Sequence, residues 1–188
     1  VGALFSNSII SLIVMFAPLG FVFFLSARVM KMSYSAGQLS FWLFSALMGL
    51  SLSTIFVVYT GASIANAFFT TAVAFGAMSL FGYTTKKDLS GMGRFLFMGV
   101  IGLIVAMIIN WFTQSPGLEF AINVLGVLIF AGLTAYDTQN IKNTYLSIRN
   151  APNGEEIAAK AGILGALSLY INFLNMFMFL LQFMGNRE

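Results

Sequence analysis

The chain contains neither cysteine nor histidine, and only 8% of its 188 residues are charged. Without these two residues it has no disulfides, thiol chemistry, histidine-based catalytic triads, or zinc and haem sites built on such ligands. A soluble domain carries roughly a quarter charged residues because its surface must be wetted. The nine basic residues are too few and too scattered for a nucleic-acid surface, so no nucleic-acid partner is expected.

Hydrophobic residues make up 59% of the sequence, and 21 of them are phenylalanine. Charge-free stretches of about 20 residues recur, and a helix of that length crosses a hydrocarbon layer of about 30 Å. Long unbroken apolar blocks replace the alternation expected of a membrane β-barrel. We therefore predict an all-α multi-pass membrane protein, with residues 1–188 forming a single transmembrane domain embedded in the lipid bilayer.

Six apolar segments can be delimited, and their ends are approximate. They are Asn7–Met30, Ser35–Tyr59, Ala62–Tyr83, Gly93–Thr113, Leu118–Ile141 and Ile157–Met184. Between the last two lies a longer polar stretch, Lys142–Glu156, which contains the turn signal Asn150–Gly154.

The basic residues predict the orientation of these segments. When alternate loops are assigned to opposite sides, Arg187 alone falls on one side. The other side receives Arg28, Lys31, Lys86, Lys87, Arg94, Lys142, Arg149 and Lys160. This bias predicts that the basic loops are cytoplasmic. Residue 1 would then lie outside, so we expect a further helix upstream and seven spans in all.

Asp137 is the one acidic residue placed well inside a predicted span. An acid at the middle of a membrane helix costs about 2.5–3.5 kcal/mol on insertion scales, and less near an end, so such residues usually face a cavity or a partner. The alternative is an aspartate near a helix end that is hydrated by the cytoplasmic interface. Arg28 lies at a compatible depth, and pairing would relieve the desolvation cost of both groups.

The last segment carries a stripe of small and amide side chains. Gly165, Ser168, Asn172 and Asn175 follow helical spacing on one face, whereas the opposite face is formed by Leu, Ile, Phe and Met. Such a stripe should turn toward other helices. It serves either as interhelical contact surface or as the lining of a polar path, and composition does not choose between the two.

Two stretches of sequence carry a family resemblance. They are AGLTAYDTQNI at Ala131–Ile141 and ALSLYINFLNMF at Ala166–Phe177, and the loop sequence TTKKDL at Thr84–Leu89 matches as well. Together they resemble the bacterial branch of the Bax inhibitor family of transmembrane proteins. The resemblance covers essentially the whole chain, with the family's first helix absent. It implies a seven-helix bundle in which the last helix is central.

The resemblance also implies a function and a site. Members of the family are proposed to be pH-sensitive calcium leak channels, whose sensor is a pair of aspartates bonded to an arginine. Asp137 matches the first aspartate, and Arg28 matches the arginine, with Lys31 as the alternative. Asn172 stands where the second aspartate is expected. The implied gate is thus Asp137, Asn172 and Arg28, supported by Ser168 and Asn175, with Asp137 as a contact for transported Ca²⁺ and no resident cofactor.

The asparagine at position 172 changes the expected behaviour. Two carboxylates in one site cannot both ionise easily, whereas an amide is neutral at every pH. Asn172 can still donate a hydrogen bond to Asp137. We therefore expect Asp137, beside Arg28, to stay ionised at physiological pH, and any leak to depend less on pH.

Two other functions compete with a leak channel. One is a non-transport regulator of a membrane protease or of a stress response, acting through helix and loop contacts such as Lys142–Glu156. The other is an intramembrane protease. The aspartyl type requires two membrane-embedded aspartates, and the serine and zinc types require histidine, so no enzymatic activity is expected.

Overall fold

A computed structural model describes residue 18 and residues 20–186, and this part of the chain contains helices and no β-strand. Residues 20–28 are helical and lead into a short 3₁₀ helix, Val29–Lys31. The remaining helices are α1 (Tyr34–Leu52), α2 (Ile55–Val58), α3 (Gly61–Thr84), α4 (Ser90–Thr113), α5 (Pro116–Ile148) and α6 (Gly154–Met184).

The helices divide into two compact units. Among the described residues, the first unit comprises those up to Val58 together with Thr144–Leu167, and the second comprises Tyr59–Asn143 and residues 168–186. Each of the long helices α5 and α6 therefore has one part in the first unit and one part in the second. The single transmembrane domain expected from the sequence stays a prediction.

Five stretches of the described residues are long and apolar enough to cross a membrane. They are Tyr34–Val58, Gly61–Thr84, Ser90–Thr113, Pro116–Ile148 and Gly154–Met184. These five confirm the all-helical multi-pass class and match five of the six predicted segments. About half of the other predicted segment, Asn7–Met30, lies outside the described residues, so seven spans stay a prediction.

The second predicted span, Ser35–Tyr59, is interrupted. α1 ends at Leu52, and the chain forms a turn before α2 begins at Ile55. The hydroxyl of Ser53 donates to the backbone carbonyl of Leu50 at 2.7 Å, which satisfies a carbonyl at the helix end. A serine at this position thus lets the helix break where hydropathy alone shows a continuous segment.

A tight turn at Gln114 and Ser115 joins α4 to α5. Gln114 adopts the left-handed conformation, with φ 47°, and its N–H donates to the carbonyl of Asn110 at 2.7 Å. Pro116 then opens α5, in the first-turn position where its missing N–H costs nothing.

The polar stretch Lys142–Glu156 is mostly helical, which differs from the expected long loop. α5 continues past Ile141 as far as Ile148, and α6 begins at Gly154. The connection is therefore confined to residues 149–153, where Asn153 has φ 58°. Residues 142–148 thus continue α5 beyond Ile141, where the predicted span ends.

Gly154 begins α6 at a point where there is no room for a side chain. A Cβ at this position would meet the backbone carbonyl oxygen of Ile148 and come within 2.9 Å of that of Arg149. We expect Gly154→Ala to lower the free energy of unfolding by about 1–3 kcal/mol, because backbone atoms cannot move aside as side chains do. Thermal unfolding in lipid nanodiscs measures this.

Gly162→Ala is the matched control, because Gly162 lies on the same helix with nothing within 4 Å of its Cβ position. Alanine should leave stability unchanged or raise it there, since it favours helix over glycine. Equal effects at both positions would contradict the steric explanation.

In the second unit, α4 and α5 pack closely through glycines. A Cβ on Gly93 would lie 2.6 Å from the Tyr136 ring, and one on Gly132 would lie 2.6 Å from Leu96. Each large side chain thus occupies the space left by a glycine on the facing helix. Small residues at such contacts let membrane helices approach closely, where van der Waals packing replaces the hydrophobic effect.

The same unit joins α6 to α5 and α3 through aromatic contacts. Phe179 of α6 stacks on Phe130 of α5 with centroids 5.9 Å apart, and Phe173 contacts Phe68 and Phe75 of α3 edge-on. Offset and edge-to-face ring pairs contribute about 0.5–1.5 kcal/mol each beyond the area they bury. These contacts fix the rotation of α6 in this unit and so determine which of its side chains face α5.

Candidate functional site

Asp137 and Asn172 lie in direct contact in the second unit. The amide Nδ2 of Asn172 donates to Oδ2 of Asp137 at 2.7 Å, which joins α5 to α6. Asn172 is buried and Asp137 is half-buried. Position 137 faces 172 and position 130 faces 179, so the two helices run antiparallel along this contact. A charge-assisted hydrogen bond of this kind contributes about 1.5–3 kcal/mol.

Asp137 does not lie near a helix end. α5 continues for roughly three further turns to Ile148. About one of these turns lies within the predicted span, which ends at Ile141, and the carboxylate meets a partner side chain from a neighbouring helix. This geometry favours the interpretation in which an acid within a span faces a cavity or a partner.

A cavity of about 380 Å³ opens beside this pair. It lies between α4, α5 and α6, and four of its lining residues are polar: Asp137, Ser168, Asn172 and Asn175. The other lining residues are apolar: Phe97, Val100, Leu103, Ile104, Met107, Phe130, Leu133, Ile171 and Phe179. The carboxylate and the three polar side chains of α6 thus share one space in an otherwise apolar surrounding.

The predicted stripe of α6 is directed inward, as expected. Gly165 and Asn172 are buried, and Ser168 and Asn175 are half-buried. Asn175 donates from Nδ2 to the carbonyl of Ile171 in its own helix at 2.9 Å. Asn172 therefore provides interhelical contact, and Ser168 and Asn175 line the cavity, whereas a polar path along the stripe stays a prediction.

Arg28 belongs to the first unit, whereas Asp137 belongs to the second. Arg28 precedes the 3₁₀ helix Val29–Lys31 as its capping residue, and both Arg28 and Lys31 are exposed. The pairing of either basic residue with Asp137 stays a prediction.

Gln139 has a structural role that the sequence did not reveal. Its Nε2 donates to the carbonyl of Lys87 at 2.8 Å, and its Oε1 accepts from the N–H of Leu89 at 2.8 Å. The side chain is buried, as is Leu89. One side-chain amide thus binds a backbone carbonyl and a backbone N–H of the loop between α3 and α4. It fixes that loop to α5, two residues beyond Asp137.

Two further contacts lie at the two ends of this loop. Lys142 donates from Nζ to the carbonyl of Tyr83 at 2.7 Å and lies over the Tyr83 ring. Asp88 accepts from the N–H of Ser90 at 2.9 Å at the start of α4. Hydrogen bonds from the hydroxyl and the backbone N–H of Ser90 lower the pKa of Asp88. Lys142, expected to mark orientation only, therefore also has a structural partner.

The helices, their apolar exterior and the polar pair between α5 and α6 define a multi-pass helical membrane protein. Side chains such as Phe112, 84% exposed, and Trp111, 79% exposed, project outward from α4, as is typical of helices whose surroundings are lipid. Such a protein contacts the bilayer directly.

Comparison with known proteins identifies the family. The family model described as "Inhibitor of apoptosis-promoting Bax1" matches residues 1–188, and the chain belongs to this Bax inhibitor family. It is 48% identical over 187 residues to the inner membrane protein YbhL of Escherichia coli K12, covering 98% of this chain and 78% of YbhL. An uncharacterised protein of Caulobacter vibrioides is 52% identical over 178 residues, covering 94% of this chain and 70% of the relative.

Proposed function

We propose that the protein is a passive cation leak of the bacterial inner membrane, with calcium as the transported ion and Asp137 as the gate. The observation that carries the proposal is the Asp137–Asn172 hydrogen bond of 2.7 Å at the edge of a cavity between three helices. An acid that is costly to hold within a membrane span usually serves an ion pathway.

The ligands around this cavity suit a passing ion better than a stored one. Ca²⁺ takes six to eight oxygen ligands when it is bound tightly. Within the described residues no group of three or more acidic, histidine or cysteine side chains converges. Asp137, the two amides and the Ser168 hydroxyl offer hard oxygen atoms with one negative charge among them. A transient contact, as a leak requires, fits this donor set.

The wider arrangement of the proposal follows the family resemblance. It has seven helices with the last one central, basic loops in the cytoplasm, and Arg28 paired with Asp137 in the closed state. Opening would separate Asp137 from Asn172, since a hydrogen bond between α5 and α6 must break before the two helices can part at this depth. The protein has no enzymatic activity in this proposal.

Asn172→Asp is expected to make calcium flux steeply dependent on pH between 6 and 8, whereas the native protein responds weakly. Two carboxylates at hydrogen-bond distance retain a shared proton at low pH. Loss of that proton as pH rises leaves two negative charges that repel each other and attract a divalent cation, so flux through the variant should rise with pH. Calcium entry into liposomes containing the purified protein measures this.

Asn175→Asp provides the matched control. It adds the same charge to the same cavity, but the amide of Asn175 is bonded to its own helix at Ile171 and not to Asp137. A native response as steep as that of Asn172→Asp would refute the proposed role of the pair. Equal responses from the two aspartate variants would show that charge in the cavity matters and the contact does not.

The second candidate is a non-transport regulator that binds a membrane protease or another membrane protein. The end of α5 favours it, because α5 is 33 residues long, or about 50 Å, and exceeds a hydrocarbon layer of about 30 Å. Tyr145 and Leu146 near that end are exposed. Absence of flux above that of empty liposomes would favour this function over the leak.

A further inference from the structure

The cavity of the second unit is elongated and has an apolar part and a polar part. Its lining on α4 runs from Phe97 to Met107, which corresponds to about 15 Å along the helix. All five of its α4 residues are apolar. On α5, Asp137 is followed toward the helix start by Leu133 and Phe130, so the carboxylate lies at one end of an apolar channel.

The charge of this cavity is unbalanced. Of the residues that line it in the described part of the chain, Asp137 is the only acid and none is basic. Asn172 donates to one carboxylate oxygen, Oδ2. A carboxylate in apolar surroundings is stabilised by a single positive charge within hydrogen-bond distance. Ser168 and Asn175 add oxygen acceptors beside it, and an ammonium group has three donors to satisfy.

We propose that this cavity binds a monovalent lipophilic amine, whose ammonium takes the place beside Asp137 that the leak proposal gives to Arg28 in the closed state. Its ammonium head pairs with Asp137 and the neighbouring oxygen acceptors, and its hydrocarbon body lies against the apolar side chains of α4, Phe130 and Phe179. A volume of about 380 Å³ is in the range of small-ligand pockets, roughly 300–1,000 Å³, whose walls are mainly apolar with a few placed polar groups. The inference goes beyond the proposed leak and does not require ion flux.

The choice between an amine and an ordinary lipid chain rests on the charge. A neutral acyl chain would fill the apolar part but leave the carboxylate without a counter-charge. An anionic head would place like charges together, which is unfavourable in a site of low dielectric constant. A lipophilic amine meets both requirements, because its ammonium head balances the charge of Asp137 and its hydrocarbon body is apolar.

Photolabelling of the full chain in lipid nanodiscs tests the inference. The probes are octylamine and octanol, each carrying a diazirine on its terminal carbon, followed by mass spectrometry of the labelled peptides. We expect the amine to label residues between Phe97 and Met107, and unlabelled octylamine, but not octanoate, to compete. Asp137→Asn should reduce this labelling about tenfold or more, the effect of losing a charge-assisted hydrogen bond, and should leave octanol labelling unchanged.

Two further variants keep the test decisive. Asp88→Asn removes an acid from the exposed loop outside the cavity and should leave amine labelling unchanged. At pH 8, where the carboxylate pair has lost its shared proton, Asn172→Asp adds a negative charge to the cavity and should raise amine labelling severalfold, which tests the charge without removing Asp137. The inference would be overturned if amine and alcohol label the cavity equally and if none of the three substitutions changes that labelling. Such a result would show that bilayer chains alone enter the cavity.

The result can be separated from that of the leak proposal. Amine labelling that depends on Asp137 in a protein that passes no calcium supports the amine site and refutes the leak. Calcium flux in a protein whose amine labelling ignores Asp137 supports the leak and refutes the amine site.

Discussion

Gly82→Ala is expected to destabilise the protein by about 3 kcal/mol, a large fraction of the stability of a typical domain. Gly82 lies on α3, where a Cβ would overlap the backbone carbonyl oxygen of Ala135 on α5. Both residues are buried, and the obstructing atom belongs to the backbone of a long helix. The two helices would have to separate, which would also disturb the packing of α4 on α5.

Gly76→Ala is the matched control for this prediction. Gly76 lies on the same helix, is exposed, and has nothing within 4 Å of the position of a Cβ. Alanine there should be neutral or stabilising by up to about 1 kcal/mol. Thermal unfolding of both variants in nanodiscs separates the effects. A Gly82 variant as stable as the Gly76 variant would show that α3 and α5 are not packed this closely.

Gln139→Leu is expected to release the loop between α3 and α4 and to cost about 2–5 kcal/mol. Leucine fills a similar space but leaves the N–H of Leu89 and the carbonyl of Lys87 without their partner, and an unsatisfied buried group costs about 1–3 kcal/mol. Hydrogen exchange at the Leu89 amide is the direct measurement, because that N–H is protected by the Gln139 side chain. Exchange should accelerate by one to three orders of magnitude.

Gln139→Glu divides the two interactions. A carboxylate still accepts from the N–H of Leu89 but cannot donate to the carbonyl of Lys87, so protection at Leu89 should persist while the variant is less stable than the native protein. Gln182→Leu, at an exposed position of α6, controls for replacing any glutamine by leucine. Unchanged exchange at Leu89 in Gln139→Leu would mean that the backbone of the loop holds itself.

Several features of the site were predictable from the sequence because they depend on residue type and spacing. The α6 stripe was expected to turn inward, and Asn172 was expected to donate to Asp137. Both are observed in the second unit. A costly acid and a row of amides have few favourable placements in lipid, so residue type alone restricts where they can lie.

Other features were not predictable, and Gln139 shows the reason. Its partners are backbone groups of Lys87 and Leu89, about fifty positions earlier, and no pattern of side chains marks them. The extension of α5 to Ile148 was missed because hydropathy reports where a segment leaves the apolar layer and not where its helix ends. The break after Leu52 was missed because Ser53 and Thr54 are uncharged and leave the hydropathy of the whole segment high.

The sequence by itself determined the class of the protein, its family motifs, and the approximate positions of the described spans. These depend on local composition, since about twenty uncharged residues are sufficient to cross a bilayer wherever they occur. Only the tertiary structure decided which side chains meet. Lipid is as apolar as a helix interface, so hydropathy does not show which face of a helix is turned inward. Packing between distant segments placed Asp137 against Asn172, set the loop on Gln139, and left a cavity beside α4.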